Sequence, residues 1–108
     1  MEILRIQEKK GANYCLLELF GVIDSYNFTD LQRKAFNSIK DTNLVLDMAE
    51  IISMDSSGIS VVLGSFNIGE EYGHKLYLMR PSAGAKKALE STGFMDSFSI
   101  IQTVTEVL

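Results

Sequence analysis

Residues 54–59, Met54-Asp55-Ser56-Ser57-Gly58-Ile59, mark the place where the chain changes periodicity. They close an apolar run and open a pattern in which apolar residues recur at helical spacing. A switch of this kind predicts two hydroxyls and a carboxylate at the N-terminal mouth of a helix. A helix mouth carries unpaired N–H groups and partial positive charge, so it favours anions. A serine placed there can cap the helix, bind an anion, or become one by phosphorylation.

Upstream of the switch, Leu44-Val45-Leu46 is a short continuous apolar run, as in strands covered on both faces. Downstream, Ile59, Val62, Leu63 and Phe66 form the apolar stripe of the helix, and Gly73 is its natural stop. Val61 and Ile68 lie off that stripe. At the N-terminal end, Met1 to Gln7 reads as a strand with Leu4 and Ile6 on one face. Residues 9–13 are turn chemistry, and Tyr14 to Val22 completes a hairpin. Alternation puts Cys15, Leu17 and Leu19 on one face of that strand and Tyr14, Leu16, Glu18 and Phe20 on the other.

After a loop from Gly21 to Asn27, the spacing of Phe28, Leu31, Ala35 and Ile39 predicts a helix to about Lys40. Asn27 and Asp30 resemble its capping signal. Further on, Lys75 to Met79 reads as a strand. Ser82 to Thr92 reads as a helix ended by Gly93, with Phe94 packing back on its last turn. Phe98 to Ile101 reads as a last short strand and Thr103 to Leu108 as a short helix. The order β-β-α-β-α-β-α-(β)-α predicts an α/β fold with mainly parallel pairing and right-handed crossovers. Working loops in such sheets lie at the carboxyl ends of the strands. Two stand out, Gly21 to Asn27 and Ile52 to Gly58, and neighbouring strands would bring Asp24 toward Asp55 and Ser56.

The bulk properties narrow the class. The 108 residues, 46% hydrophobic and 22% charged, fit one domain with its own core. A net charge of −4 argues against nucleic-acid or acidic-membrane partners. The lone Cys15 faces the inferred core and cannot form an internal disulfide, which fits a reducing, cytoplasmic setting. No signal peptide or membrane-spanning run is read. A single His and a single Cys leave little for a metal site, and no cofactor is expected.

Weighed residue by residue, one helix cap requires only one residue, so three polar residues followed by Gly58 exceed that need. Gly58 lowers helix propensity by about 1 kcal/mol relative to Ala; backbone access for another protein is the expected gain. Asp24 reads as a turn residue or as a carboxylate beside the serine loop. Asp47 reads as a strand-end residue satisfied by backbone N–H groups, and Met48, Met54 and Met79 as core. Leu16 and Phe20 are either covered by helices or form an apolar partner surface. His74 reads as an exposed turn residue. It lies at the far end of the Ser56 helix, more than about 20 Å away, so no base accompanies the serine. No nucleophile elbow, Walker loop or dinucleotide fingerprint is present. A phospho-aspartate receiver at Asp55 lacks the acidic cluster that would hold Mg²⁺. The chain therefore reads as a substrate and binding module, not an enzyme.

The segments Gly21-Val22-Ile23-Asp24-Ser25-Tyr26-Asn27, Leu44-Val45-Leu46-Asp47-Met48, Met54-Asp55-Ser56-Ser57-Gly58-Ile59 and Ser91-Thr92-Gly93-Phe94 together resemble the STAS domain family. They look most like the stand-alone bacterial anti-sigma factor antagonists, over nearly the full length. The resemblance implies a STAS-type fold, a single domain over residues 1–108. It also implies a four- to five-stranded mixed sheet with about four helices, mainly on one face. It implies phosphorylation of Ser56 by an anti-sigma factor that is also a serine kinase, and removal of the phosphate by a PP2C-type phosphatase. It places Asp24, Asp55, Ser57 and Gly58 at the partner contact. The unmodified form would bind the kinase and free a sigma factor, as a monomer or weak homodimer. A ligand- or nucleotide-sensing module, or a scaffold subunit regulating a non-sigma target, is the competing expectation. The linker-free length argues against a transporter tail.

Overall fold

Strand alternation between Tyr14 and Ile23 sorts side chains onto two faces, and the rest of the fold is built on that sorting. The computed structural model describes residues 3–108. Strand β1 (Arg5–Lys10) pairs antiparallel with β2 (Tyr14–Ile23). Helix α1 (Phe28–Asp41), β3 (Asn43–Met54), α2 (Ser56–Tyr72), β4 (Leu76–Met79), α3 (Ala83–Glu90) and β5 (Ser99–Ile101) follow. The sheet order is β1-β2-β3-β4-β5, with every pair after the hairpin parallel.

Cys15, Leu17, Leu19 and Ile23 enter the main core with Leu44, Leu46, Met48, Ile51 and Met54 of β3. Leu31, Ala35 and Ile39 of α1, Val61 and Val62 of α2, and Ala85 and Leu89 of α3 close it on one side of the sheet. On the other face Leu16, Val45, Tyr77, Met79 and Ile101 form a second, smaller core against Val104 and Val107. Leu16 is thus covered, as one of the two expectations held.

Several elements differ from their sequence-based bounds. Residues 1 and 2 of the expected first strand lie outside the described residues, and Lys9 and Lys10 belong to β1 because they pair with Leu16 and Cys15. β3 runs far beyond Leu44–Leu46, reaching Met54 through two register shifts against β2. The helix expected over residues 103–108 is only a 3-10 turn, Val104–Glu106, so the described residues hold three α-helices rather than about four. Six residues are too few for a stable helix. Here Glu106 instead accepts N–H bonds from Gln102 and Thr103, which hold its carboxyl below the usual range.

The deep face of α2 is also displaced. Its buried residues are Gly58, Val61, Val62, Ser65 and Gly69, while Ile59, Leu63 and Phe66 are only partly buried. Small residues let α2 lie close to its neighbours. A Cβ at Gly64 would meet the Phe36 ring at 2.6 Å, and one at Gly69 would meet the His74 carbonyl at 2.6 Å. Ser65 is fully buried on this face and its Oγ has no hydrogen-bond partner. An unpaired buried hydroxyl costs roughly 1–3 kcal/mol, and Ala is the better helix former. Ser65→Ala is therefore expected to raise stability by about 1 kcal/mol, read as a higher urea midpoint; a lower midpoint would show that the hydroxyl is satisfied.

Asp47 is buried within β3 rather than at a strand end. Its Oδ1 accepts the Ala49 N–H at 3.1 Å, the expected backbone contact, and its Oδ2 receives Arg80 Nη2 at 2.6 Å. His74 is half-buried, with Nδ1 at 2.6 Å from the Ile39 carbonyl, so it ties α1 to the end of α2 instead of standing in solvent.

Candidate functional site

The carboxyl ends of β2 and β3 are joined directly, because the Asp55 N–H donates to the Ile23 carbonyl at 3.1 Å. This bond seats the Asp24 loop beside the Ser56 helix mouth, as the strand order implied. Within the first loop Asp24 is half-buried, and its Oδ1 accepts the Tyr26 N–H at 2.9 Å. The Asn27 side chain is a clamp on this loop. Its Oδ1 accepts the Asp24 N–H at 2.9 Å, and its Nδ2 donates to the Val22 carbonyl at 2.8 Å. Asn27 makes no side-chain cap bond to α1, contrary to the expected signal, since both ends of its amide are engaged in the loop. Asp30 instead pairs with Arg33 on the surface of α1.

At the second loop the three polar residues divide their roles. Asp55 is the N-cap of α2, its Oδ1 accepting the Ser57 N–H at 2.8 Å. Ser56 is the first helical residue and is exposed; its backbone carbonyl accepts the Ser60 hydroxyl at 2.9 Å. Ser57 is half-buried. Gly58 is buried, and a Cβ there would stand 3.0 Å from both Ile23 Cγ2 and Met54 Cβ. The glycine therefore lets the helix mouth seat against the ends of β2 and β3, a packing use in place of the external backbone access expected from sequence.

Beside Ser56 lies a shallow groove of about 380 Å³ between α2 and the end of α3, lined by Met54, Asp55, Ile59, Leu63, Thr92 and Phe94 among others. Phe94 is 53% exposed on its rim. Gly93 takes a left-handed φ of 77°, and the Phe94 N–H bonds to Thr92 Oγ1. No lining residue of this groove is a Lys or Arg. Among the described residues no three His, Cys, Asp or Glu side chains gather into a metal site, and no helix is long and apolar enough to cross a membrane. Sequence reasoning missed the groove, since its walls come from segments about 30 residues apart.

A site of this form contains an exposed hydroxyl, the capping carboxylate of Asp55, the Asp24 loop joined to it through Ile23, and an apolar groove, with His74 about 25 Å away at the far end of α2. The exposed hydroxyl and the groove beside it are accessible from the same side, and the imidazole of His74 is out of hydrogen-bond reach of that hydroxyl.

None of the curated proteins matches the chain. Among solved structures, the anti-sigma factor antagonist SpoIIAA in its unphosphorylated form is 22% identical, with a TM-score of 0.79 over 94% of this chain and 91% of that one. The phosphorylated form of SpoIIAA, a Bacillus cell fate determinant, is 23% identical, with a TM-score of 0.75 over 94% and 95%. An anti-sigma factor antagonist from Mycobacterium paratuberculosis is 16% identical, with a TM-score of 0.78 over 96% and 90%. At these identities the likeness is one of fold. The family model for the STAS domain matches residues 4–107, from the approach to β1 through the C-terminal turn, and the chain belongs to the STAS domain family.

Proposed function

We propose that this chain, a single STAS domain over residues 1–108, is an anti-sigma factor antagonist acting in the cytoplasm. In its unphosphorylated form it binds an anti-sigma factor that is also a serine kinase, and so releases a sigma factor. Phosphorylation of Ser56 switches that binding off, and a PP2C-type phosphatase restores it. Asp24, Asp55, Ser57 and Gly58 shape the partner contact around Ser56.

The observation that carries this proposal is the division of labour at the mouth of α2. Asp55 supplies the cap, so the exposed Ser56 hydroxyl is spare to the fold. Two of the similar structures are antagonists by name, and one of those proteins is known in phosphorylated and unphosphorylated forms.

Incubation with a purified anti-sigma serine kinase and ATP, followed by mass spectrometry, tests the assignment. Incorporation is expected in the wild-type protein and in Ser57→Ala, and none in Ser56→Ala. Incorporation that survives Ser56→Ala and disappears in Ser57→Ala would move the site. No incorporation in any form would favour a scaffold or ligand-sensing role.

A further inference from the structure

The sheet face turned away from α1, α2 and α3 is only partly covered. Its lower rows lie under Val104 and Val107, and two of its acids are paired within the chain. Lys9 Nζ stands 3.1 Å from Glu18, and Arg80 reaches Asp47. Nearer the Ser56 end, one row crosses three strands: Arg5 of β1 is the register partner of Phe20 of β2, which is the register partner of Glu50 of β3. The Arg5 guanidinium lies 4.4 Å from the centroid of the Phe20 ring. Neither Arg5 nor Glu50 belongs to an ion pair among the described residues, and both are exposed. Just beyond this row stand Ile3, 81% exposed, and Ile52, 61% exposed. Ile51 faces the main core, and Ile52, the residue passed over at the register shift between Gly21 and Val22, stands out in solvent. Ile3 precedes Arg5 by two residues, the same-face spacing of a strand.

We propose that this row is a self-complementary interface through which two copies of the chain pair face to face. Neighbouring strands are about 4.8 Å apart, so the backbones of Arg5 and Glu50 flank that of Phe20 at nearly equal distances. A two-fold axis lying between two such sheets, parallel to β2 and passing over Phe20, exchanges the two flanks. Arg5 of each copy then meets Glu50 of the other, Phe20 meets its own counterpart, and Ile3 meets Ile52. An axis across the strands would instead place Arg5 on Arg5. The charges therefore select both the occupant and its orientation, and symmetry makes the Arg5–Glu50 and Ile3–Ile52 contacts twice. A partner of unrelated sequence would have no reason to require a cation and an anion balanced about one aromatic ring. The patch is small, so the dimer is a weak one. The proposal does not depend on the role of Ser56.

Analytical ultracentrifugation of the full chain, from micromolar to millimolar concentration, tests it. A concentration-dependent dimer is expected. Arg5→Glu alone, Glu50→Arg alone, and Ile52→Lys should each weaken it by at least about tenfold in Kd, because two like-charge or buried-charge contacts replace two favourable ones. The double variant Arg5→Glu with Glu50→Arg should restore the wild-type Kd. All these positions are exposed, and circular dichroism confirms that each variant is folded. A chain that stays monomeric throughout, a dimer indifferent to the single reversals, or a folded double variant without recovery overturns the proposal.

Discussion

Gly84→Ala is expected to destabilise the domain by about 3 kcal/mol, the upper end of what overpacking costs. A Cβ at this position would lie 1.9 Å from the Ile52 carbonyl oxygen and 2.8 Å from its carbon. Both are backbone atoms of β3, so no rotamer change relieves the clash. Nor can α3 easily withdraw. Its N-cap Ser82 donates its hydroxyl to the Ile51 carbonyl and its N–H to the Met48 carbonyl at 3.1 Å, fastening the helix to the same strand. Helix propensity alone gives the opposite sign, since Ala is favoured over Gly by about 1 kcal/mol in a helix. Urea unfolding of the two proteins separates the effects. A midpoint well below wild type is expected, on a domain whose total stability is of order 5–15 kcal/mol. An unchanged or raised midpoint would mean that α3 does not dock this closely on β3.

The close docking of Gly84 illustrates which parts of the fold were legible beforehand. Alternation along β2 could be read because period two is regular there, and Cys15, Leu17 and Leu19 are indeed buried together. β3 could be read only at Leu44–Leu46. Beyond them two register shifts against β2 break the alternation, so Ile52 and Ser53 looked like the start of a loop although both lie within β3 and Ser53 pairs with Val22. The stripe of α2 was misplaced for a different reason. Apolar periodicity ranks residues by hydrophobicity, but the deepest line of a closely packed helix is set by smallness, and Gly58, Ser65 and Gly69 are small rather than apolar.

At the candidate site, the loop and its neighbour were legible and the division of roles was not. Strand order alone brought Asp24 beside Asp55, and the Ile23–Asp55 backbone bond is the form this takes. Asp55, Ser56 and Ser57 are all good caps, so composition could not choose among them. The choice is made by the extended backbone of Asp55, with φ of −98° and ψ of −166°, which points its carboxylate at the Ser57 N–H. Asn27 was misread for a similar reason: its amide can cap a helix or clamp a loop, and only the fold of residues 22–24 decides. The Asp47–Arg80 pair joins residues 33 apart in sequence and leaves no local signal.

Phosphorylation of Ser56 is expected to leave the fold intact and to weaken partner binding on the order of 100-fold, equivalent to about 3 kcal/mol. The modification adds about −1.5 to −2 charge at the positive end of α2, which tolerates it. That end is already partly satisfied, since the Ser57 N–H is bonded to Asp55 and the Ile59 N–H to the Asp55 carbonyl. The fold therefore gains little from the phosphate and has no reason to rearrange around it. The surroundings beyond the helix mouth are less tolerant. Asp55 stands on one side, the Asp24 loop is joined through Ile23, and the adjoining groove offers no Lys or Arg. A partner fitted to the unmodified surface would have to bury the new charge against carboxylates or separate from them, and burying an unpaired ion is the costlier course. Ser56→Asp should reproduce part of the loss with its smaller charge, while Ser56→Ala should bind as wild type. Circular dichroism and a binding titration on phosphorylated and unmodified protein check both halves. A large loss of secondary structure would replace the local switch with an unfolding one, and equal affinity for the partner would remove the switch altogether.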